Sequence, residues 1–139
     1  GLIYVCDRGA DRIQVFRPDG TFVKEAQIAA ETVGAGATWD IAFSQDDQQE
    51  FIYVADGSNM KVHVVDRDSL EVLYVLGEGG RQSGLFYGTH SIVTDSRGNF
   101  YTTETYEGKR IQKFQYRGLR PLDQIQSGPA WPEGSLIGE

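Results

Sequence analysis
Three tyrosines, Tyr4, Tyr53 and Tyr101, stand in short apolar runs 49 and then 48 residues apart. Each run closes on an acid three residues later: Asp7, Asp56 and Glu104. Each acid is followed by a basic residue that opens another apolar run: Arg12-Ile13, Lys61-Val62 and Arg110-Ile111. Self-similarity at such a period constrains a fold more than composition does. Each repeat is one supersecondary unit that cannot bury its own apolar surface and must stack on its neighbours.

The runs are four to seven residues long and are bounded by turn signals, which is the signature of strands. The first unit offers strands over residues 2–7, 12–16 and from 21 onward, with the tight turn Arg17-Pro18-Asp19-Gly20 between the last two. Residues 29–37 form a small-residue connection in which 29–31 fit one helical turn. The second unit reads as strands over 39–43, 51–56, 61–65 and 70–76. The third follows a glycine-rich connection and holds three apolar runs up to Phe114, with a weaker fourth near 122–125. Its turn Asp95-Ser96-Arg97-Gly98-Asn99 needs positive φ at the glycine. The runs are nearly continuously apolar rather than alternating, which suits sheets packed on both faces. Four short strands per unit at this period point to the blades of an all-β propeller. The domain layout is one propeller segment: blade one over 1–38 (strands b to d), blade two over 39–88, blade three over 89–127, and a tail over 128–139 that resembles a further strand a.

Composition narrows the function. With 139 residues a single domain is expected. A net charge of −7 argues against nucleic-acid binding, although Arg8, Arg12, Lys109 and Arg110 stand close enough in the repeat to form a local basic patch. No run approaches the roughly 18 apolar residues that span a bilayer, so no membrane partner is expected. Cys6 is the lone cysteine and reads as a small buried residue. The opening Gly1 directly before an apolar run suggests a processed or truncated product.

In a blade the d-to-a and b-to-c connections lie on one face, and loops at one end of a rigid scaffold are where function concentrates. That face carries Trp39, Asp40 and His90 near the channel, with Asp7, Arg8, Asp56, Asn59, Glu104, Tyr106 and Glu107 on the b-to-c loops. Many carboxylates with one imidazole suit a divalent cation, calcium or zinc, in the central channel, with His90 as the leading metal ligand. Each also has a structural reading. Asp7, Asp56 and Glu104 recur at one repeat position and suit hydrogen bonds from their own loop and from the following basic residue. Trp39 suits packing or stacking on a ligand, and His63, between Val62 and Val64, suits the strand interior. No zinc finger, P-loop, nucleophile elbow or His-Glu-x-x-His pattern is present.

The stretch Gly84-Leu85-Phe86, Thr89-His90-Ser91-Ile92-Val93-Thr94-Asp95-Ser96-Arg97-Gly98-Asn99-Phe100-Tyr101-Thr102-Thr103-Glu104 and Arg110-Ile111-Gln112-Lys113-Phe114 resembles the NHL repeat. The resemblance runs from Leu2 to about Ile125 and implies a six-bladed ring, of which this chain supplies about half. Two completions are open: the remaining blades of a longer chain, or a two-fold homodimer in which the tail of each copy adds strand a to the other's opening blade. The resemblance implies a binding or assembly module for a protein or small-molecule ligand, since such propellers host unrelated functions. The alternative is a metal-dependent lyase or hydrolase with its site at the channel mouth. The segment Asp56-Gly57-Ser58-Asn59-Met60-Lys61-Val62 is similar to a loop of peptidyl-hydroxyglycine amidating lyases but lacks their Tyr-Cys pair, and Trp39-Asp40 stands where that family has a histidine. A lactonase-like site would draw on Asp40 and Glu104.

Overall fold
The computed structural model describes residues 1–121 and 124. Ten strands fall into three antiparallel sheets. The first contains β1 (Ile3–Asp7), β2 (Arg12–Phe16) and β3 (Phe22–Gln27) in the order β1-β2-β3. The second contains β4 (Asp40–Phe43), β5 (Phe51–Asp56), β6 (Lys61–Asp66) and β7 (Val72–Leu76), again in sequence order. The third contains β8 (Thr89–Thr94), β9 (Phe100–Glu104) and β10 (Ile111–Phe114). The strand expected near 122–125 and the tail expected over 128–139 lie outside the described residues.

The repeat is visible in the register. Tyr4 pairs with Val15 and Tyr53 with Val64, and the next residue of each partner strand begins a bulge against β3 or β7. A bulge in an antiparallel pair sharpens the local twist, so the same residue step twists both outer strands. Asp7 pairs with Arg12 and Asp56 with Lys61 at the loop ends of their strands.

The middle sheet has an apolar neighbour on each face. Side chains alternate across a strand, and β5 sends Ile52 and Val54 to one side and Tyr53 and Ala55 to the other. Ile52, Val54 and Val65 join Ile13, Val15 and Ile28 in a core against the first sheet. Ala55, Val62 and Ala42 join Phe86, Ile92 and Phe100 in a core against the third. Complete burial of a Val or Ile side chain contributes about 1.5–3 kcal/mol, so the two seams hold the sheets as a stack. Tyr4 meets Phe43 edge-on at 5.0 Å in one seam, and Phe100 stacks on Phe114 at 4.6 Å in the other.

The neighbouring strands β4 and β8 are also tied by polar contacts. Asp40 Oδ2 accepts the Ile92 N–H at 2.9 Å, and Thr94 Oγ1 donates to the Phe43 carbonyl at 2.8 Å. The outward faces of the flanking sheets mix apolar and polar side chains. Ile3 and Val5 are exposed on the first sheet, but Arg12 and Gln14 there both donate to Glu25. Val93 and Ile111 are exposed on the third, beside Lys113 over the Tyr101 ring.

Turn chemistry accounts for the connections. Gly98 takes φ +79° between β8 and β9, as that turn requires, and Gly20 takes φ +87° between β2 and β3. Residues 29–31 do not form a helical turn. Ala29 sits at φ +53°, and a single Thr32 N–H to Ala29 carbonyl bond at 3.0 Å closes the bend. One turn of 3-10 helix, Arg8–Ala10, fills the polar loop after β1 and ends on Asp11 at φ +54°.

Candidate functional site
Hydrogen bonds tie the connecting loops together, first within the opening unit and then between neighbouring sheets. Asp11 Oδ1 accepts the Ala37 N–H at 2.7 Å, and its carbonyl accepts the Ile28 N–H at 2.6 Å. Ser58 Oγ donates to the Gly36 carbonyl at 2.8 Å, and Asn59 Nδ2 donates to Thr32 Oγ1 at 2.7 Å. In the third unit Arg110 donates to the carbonyls of Gly80, Arg81, Gln82 and Leu85. A side chain that satisfies four loop carbonyls fixes the glycine-rich connection over 77–88 against β10.

The repeated acids are loop anchors. Asp7 Oδ2 accepts from Arg12 Nε at 2.8 Å, and Glu104 Oε2 from Arg110 Nε at 2.8 Å. Gln112 Nε2 donates to the other Glu104 oxygen at 2.9 Å. The second unit solves the same problem differently. Asp56 takes the Asn59 N–H at 2.9 Å, the Asn59 side-chain amide at 2.8 Å, and His63 Nε2 at 2.9 Å. Its strand neighbour Lys61 contributes no ion pair. His63 stands at the repeat position of Gln112 and takes its part, and both His63 and Asp56 are buried.

Asp40 is likewise engaged, with one oxygen on the Ile41 N–H and the other on Ile92. The carboxylates expected as cation ligands, Asp40, Asp56 and Glu104, thus hold protein donors instead. Among the described residues no group of three or more His, Cys, Asp and Glu side chains is gathered to hold a metal ion. His90 is exposed, 3.2 Å from Ser91 Oγ, with no carboxylate beside it. The basic patch is dispersed in the same way, because Arg12 and Arg110 are both in ion pairs.

What the fold gathers is an aromatic group around Trp39. Its indole Nε1 donates to the Gly36 carbonyl at 2.6 Å. His90 meets it edge-on at 5.4 Å and Tyr106 at 6.4 Å. The Arg8 guanidinium lies 3.7 Å above the indole, within cation–π range. Two glycines make the approach possible. A Cβ on Gly57 would stand 2.6 Å from Trp39 Cδ2, and one on Gly36, at φ +76°, would land on the Arg8 carbonyl oxygen. Sequence reasoning placed Arg8, Trp39, His90 and Tyr106 on this face but not against one another, because the contacts join three blades. A cleft of about 260 Å³ opens on the opposite face between the Ser44–Glu50 and Asp95–Asn99 turns. The acids at those turns, Asp46 and Asp95, already accept turn N–H groups.

Burial shifts the thiol of Cys6 up to about 11, with the nearby Asp40 carboxylate adding to the effect. The thiol is half-buried in β1, less enclosed than the buried residue expected from its apolar run.

No family model matches the chain, and no curated protein matches it. Among solved structures it is similar to Kuenenia stuttgartiensis hydrazine synthase, at 18% identity and a TM-score of 0.61 over 82% of this chain. The chain spans about 30% of the length of that protein chain. At this identity the likeness speaks for the fold alone, and together with the three stacked antiparallel sheets it makes this an all-β, propeller-like chain.

Proposed function
We propose that this chain is a segment of an NHL-type β-propeller that acts as a binding and assembly module, with the loop face around Trp39 as its recognition surface. One observation carries the reading. Loops from three sheets converge on one group of aromatic and cationic side chains, of which Trp39 and Arg8 are half-buried and His90 and Tyr106 exposed, and cross-blade hydrogen bonds tie the loops beneath them. A rigid platform of that kind binds without first ordering its own loops. The repeated Arg-Ile-Gln of β2 and β10 supports the NHL type, since in both strands the arginine grips the acid that ends the preceding strand.

The assembly half of the proposal rests on strand edges. Among the described residues β1 pairs with β2 on one side and with no strand on the other. We take further blades to complete the ring there.

The test is selection of a displayed random-peptide library on the immobilised chain. Binders are expected to lose at least tenfold in affinity for Tyr106→Ala and to keep it for Arg97→Ala on the opposite face. Binders with the reverse pattern would remove the loop face as the recognition surface.

A further inference from the structure
We propose that Arg8, held over Trp39, is a receptor for the carboxylate of a ligand whose body lies along the indole edge toward His90 and Tyr106. The inference rests on the loop face being the recognition surface and goes on to name its chemistry.

The argument starts from how Arg8 is held. Its Nε donates to the Ala35 carbonyl at 2.6 Å, and its guanidinium carbon lies 3.7 Å over the indole. One donor and one face of the group are thereby used. Among the described residues neither Nη has an acceptor. A guanidinium offers its two terminal nitrogens as a fork that matches the two oxygens of a carboxylate. Here the Nε bond and the indole contact already restrict the rotamer freedom of the fork.

The surrounding acids sharpen the point. Asp7, Asp11, Asp40 and Asp56 all belong to the same loop face, yet each carboxylate is committed to a donor of its own. None reaches Arg8 within ion-pair distance. Arg12 and Arg110, at the repeated positions, are both in ion pairs. Among the described residues Arg8 is thus a cation that the fold orients and no acid pairs with. Its indole platform is in turn held by the Gly36 carbonyl, which also accepts Ser58 Oγ, so the support is tied to the next blade. The ring edges of His90 and Tyr106 beside Trp39 offer apolar contact to whatever carries the carboxylate. Phosphate also takes such a fork bidentately, but it is more strongly hydrated and brings no apolar body to the aromatic edges.

The experiment is a titration of the isotopically labelled chain with sodium benzoate, sodium acetate and inorganic phosphate in separate samples. It follows the Arg8 Nε–H and Trp39 Nε1–H resonances. Benzoate is expected to give saturable shifts at both, at lower concentration than acetate or phosphate. Affinity should fall at least tenfold in Arg8→Lys, which keeps the charge and loses the fork, and vanish in Arg8→Gln. It should be unchanged in Arg97→Gln. Dispersed amide spectra of each variant establish that it is folded. Shifts that do not saturate by tens of millimolar, that persist in Arg8→Gln, or that saturate first with phosphate overturn the carboxylate receptor. Library peptides that need Tyr106 but are not displaced by benzoate would overturn it while leaving the loop face as the recognition surface.

Discussion
Asp56 shows how a repeat position can keep its place and change its chemistry. In the flanking units an arginine at the start of the next strand pairs with the acid, whereas here a histidine and an asparagine hydrogen-bond it. Asp56→Ala leaves the buried His63 Nε2 without its acceptor and also frees the part-buried Asn59 N–H. A buried donor without a partner costs about 1–3 kcal/mol, so the unfolding free energy from urea titration should drop by about that much, and more than for Asp7→Ala on its half-exposed pair. Gly36 carries a different constraint. Gly36→Ala meets both a positive φ and the Arg8 carbonyl oxygen. It should destabilise the chain by more than about 1 kcal/mol and should displace Arg8 from Trp39, read as loss of the shifted indole N–H resonance. Cys6, with its thiol pushed up to about 11 from an ordinary 9.0, should react with iodoacetamide at pH 8 about a hundredfold more slowly than free cysteine.

At the level of elements, turns and strand ends were the most legible parts of the sequence. The Asp95–Asn99 turn could be read because its determinants are local: a carboxylate, a glycine at positive φ, and N–H groups two and four residues on. That locality has a pH consequence. The Asn99 side-chain amide chiefly, with the Tyr101 hydroxyl and two backbone N–H groups, holds Asp95 down at about 2 against an ordinary 3.8. A depressed carboxyl stabilises the fold while ionised. Its contribution is complete above the unfolded value and is lost as pH falls from 3.8 through about 2. Asp19, Asp46 and Asp66 are lowered by turn donors as well and act in the same direction. Chemical denaturation midpoints should therefore hold down to about pH 4 and then fall, with a shallower fall in Asp95→Asn. The bend at Ala29 was not legible, because alanine and glutamate favour helix locally and the Thr32 to Asn59 contact that sets the bend comes from another blade. The Asp40 bond to Ile92 and the stacking of Arg8 on Trp39 were hidden for the same reason, since residues far apart in sequence meet only once the sheets have stacked.

For the whole molecule, the open question concerns the ring. Three stacked sheets with exposed Ile3 and Val5 at one end and Val93 and Ile111 at the other invite further blades. Native mass spectrometry of the full chain is expected to give an even-numbered assembly if a second copy supplies them. A monomer that unfolds in one cooperative step would remove that route. Within the stack the positions are not equivalent, because β4–β7 has a seam on each side and each flanking sheet has one. Deuterium uptake turns that difference into an order of events. Water reaches the amides of β5 and β6 only after a neighbouring sheet has come away, so they should label last. The amides of β1 and β10 should label first, and the gap between the two half-lives would measure how strongly one blade depends on the next.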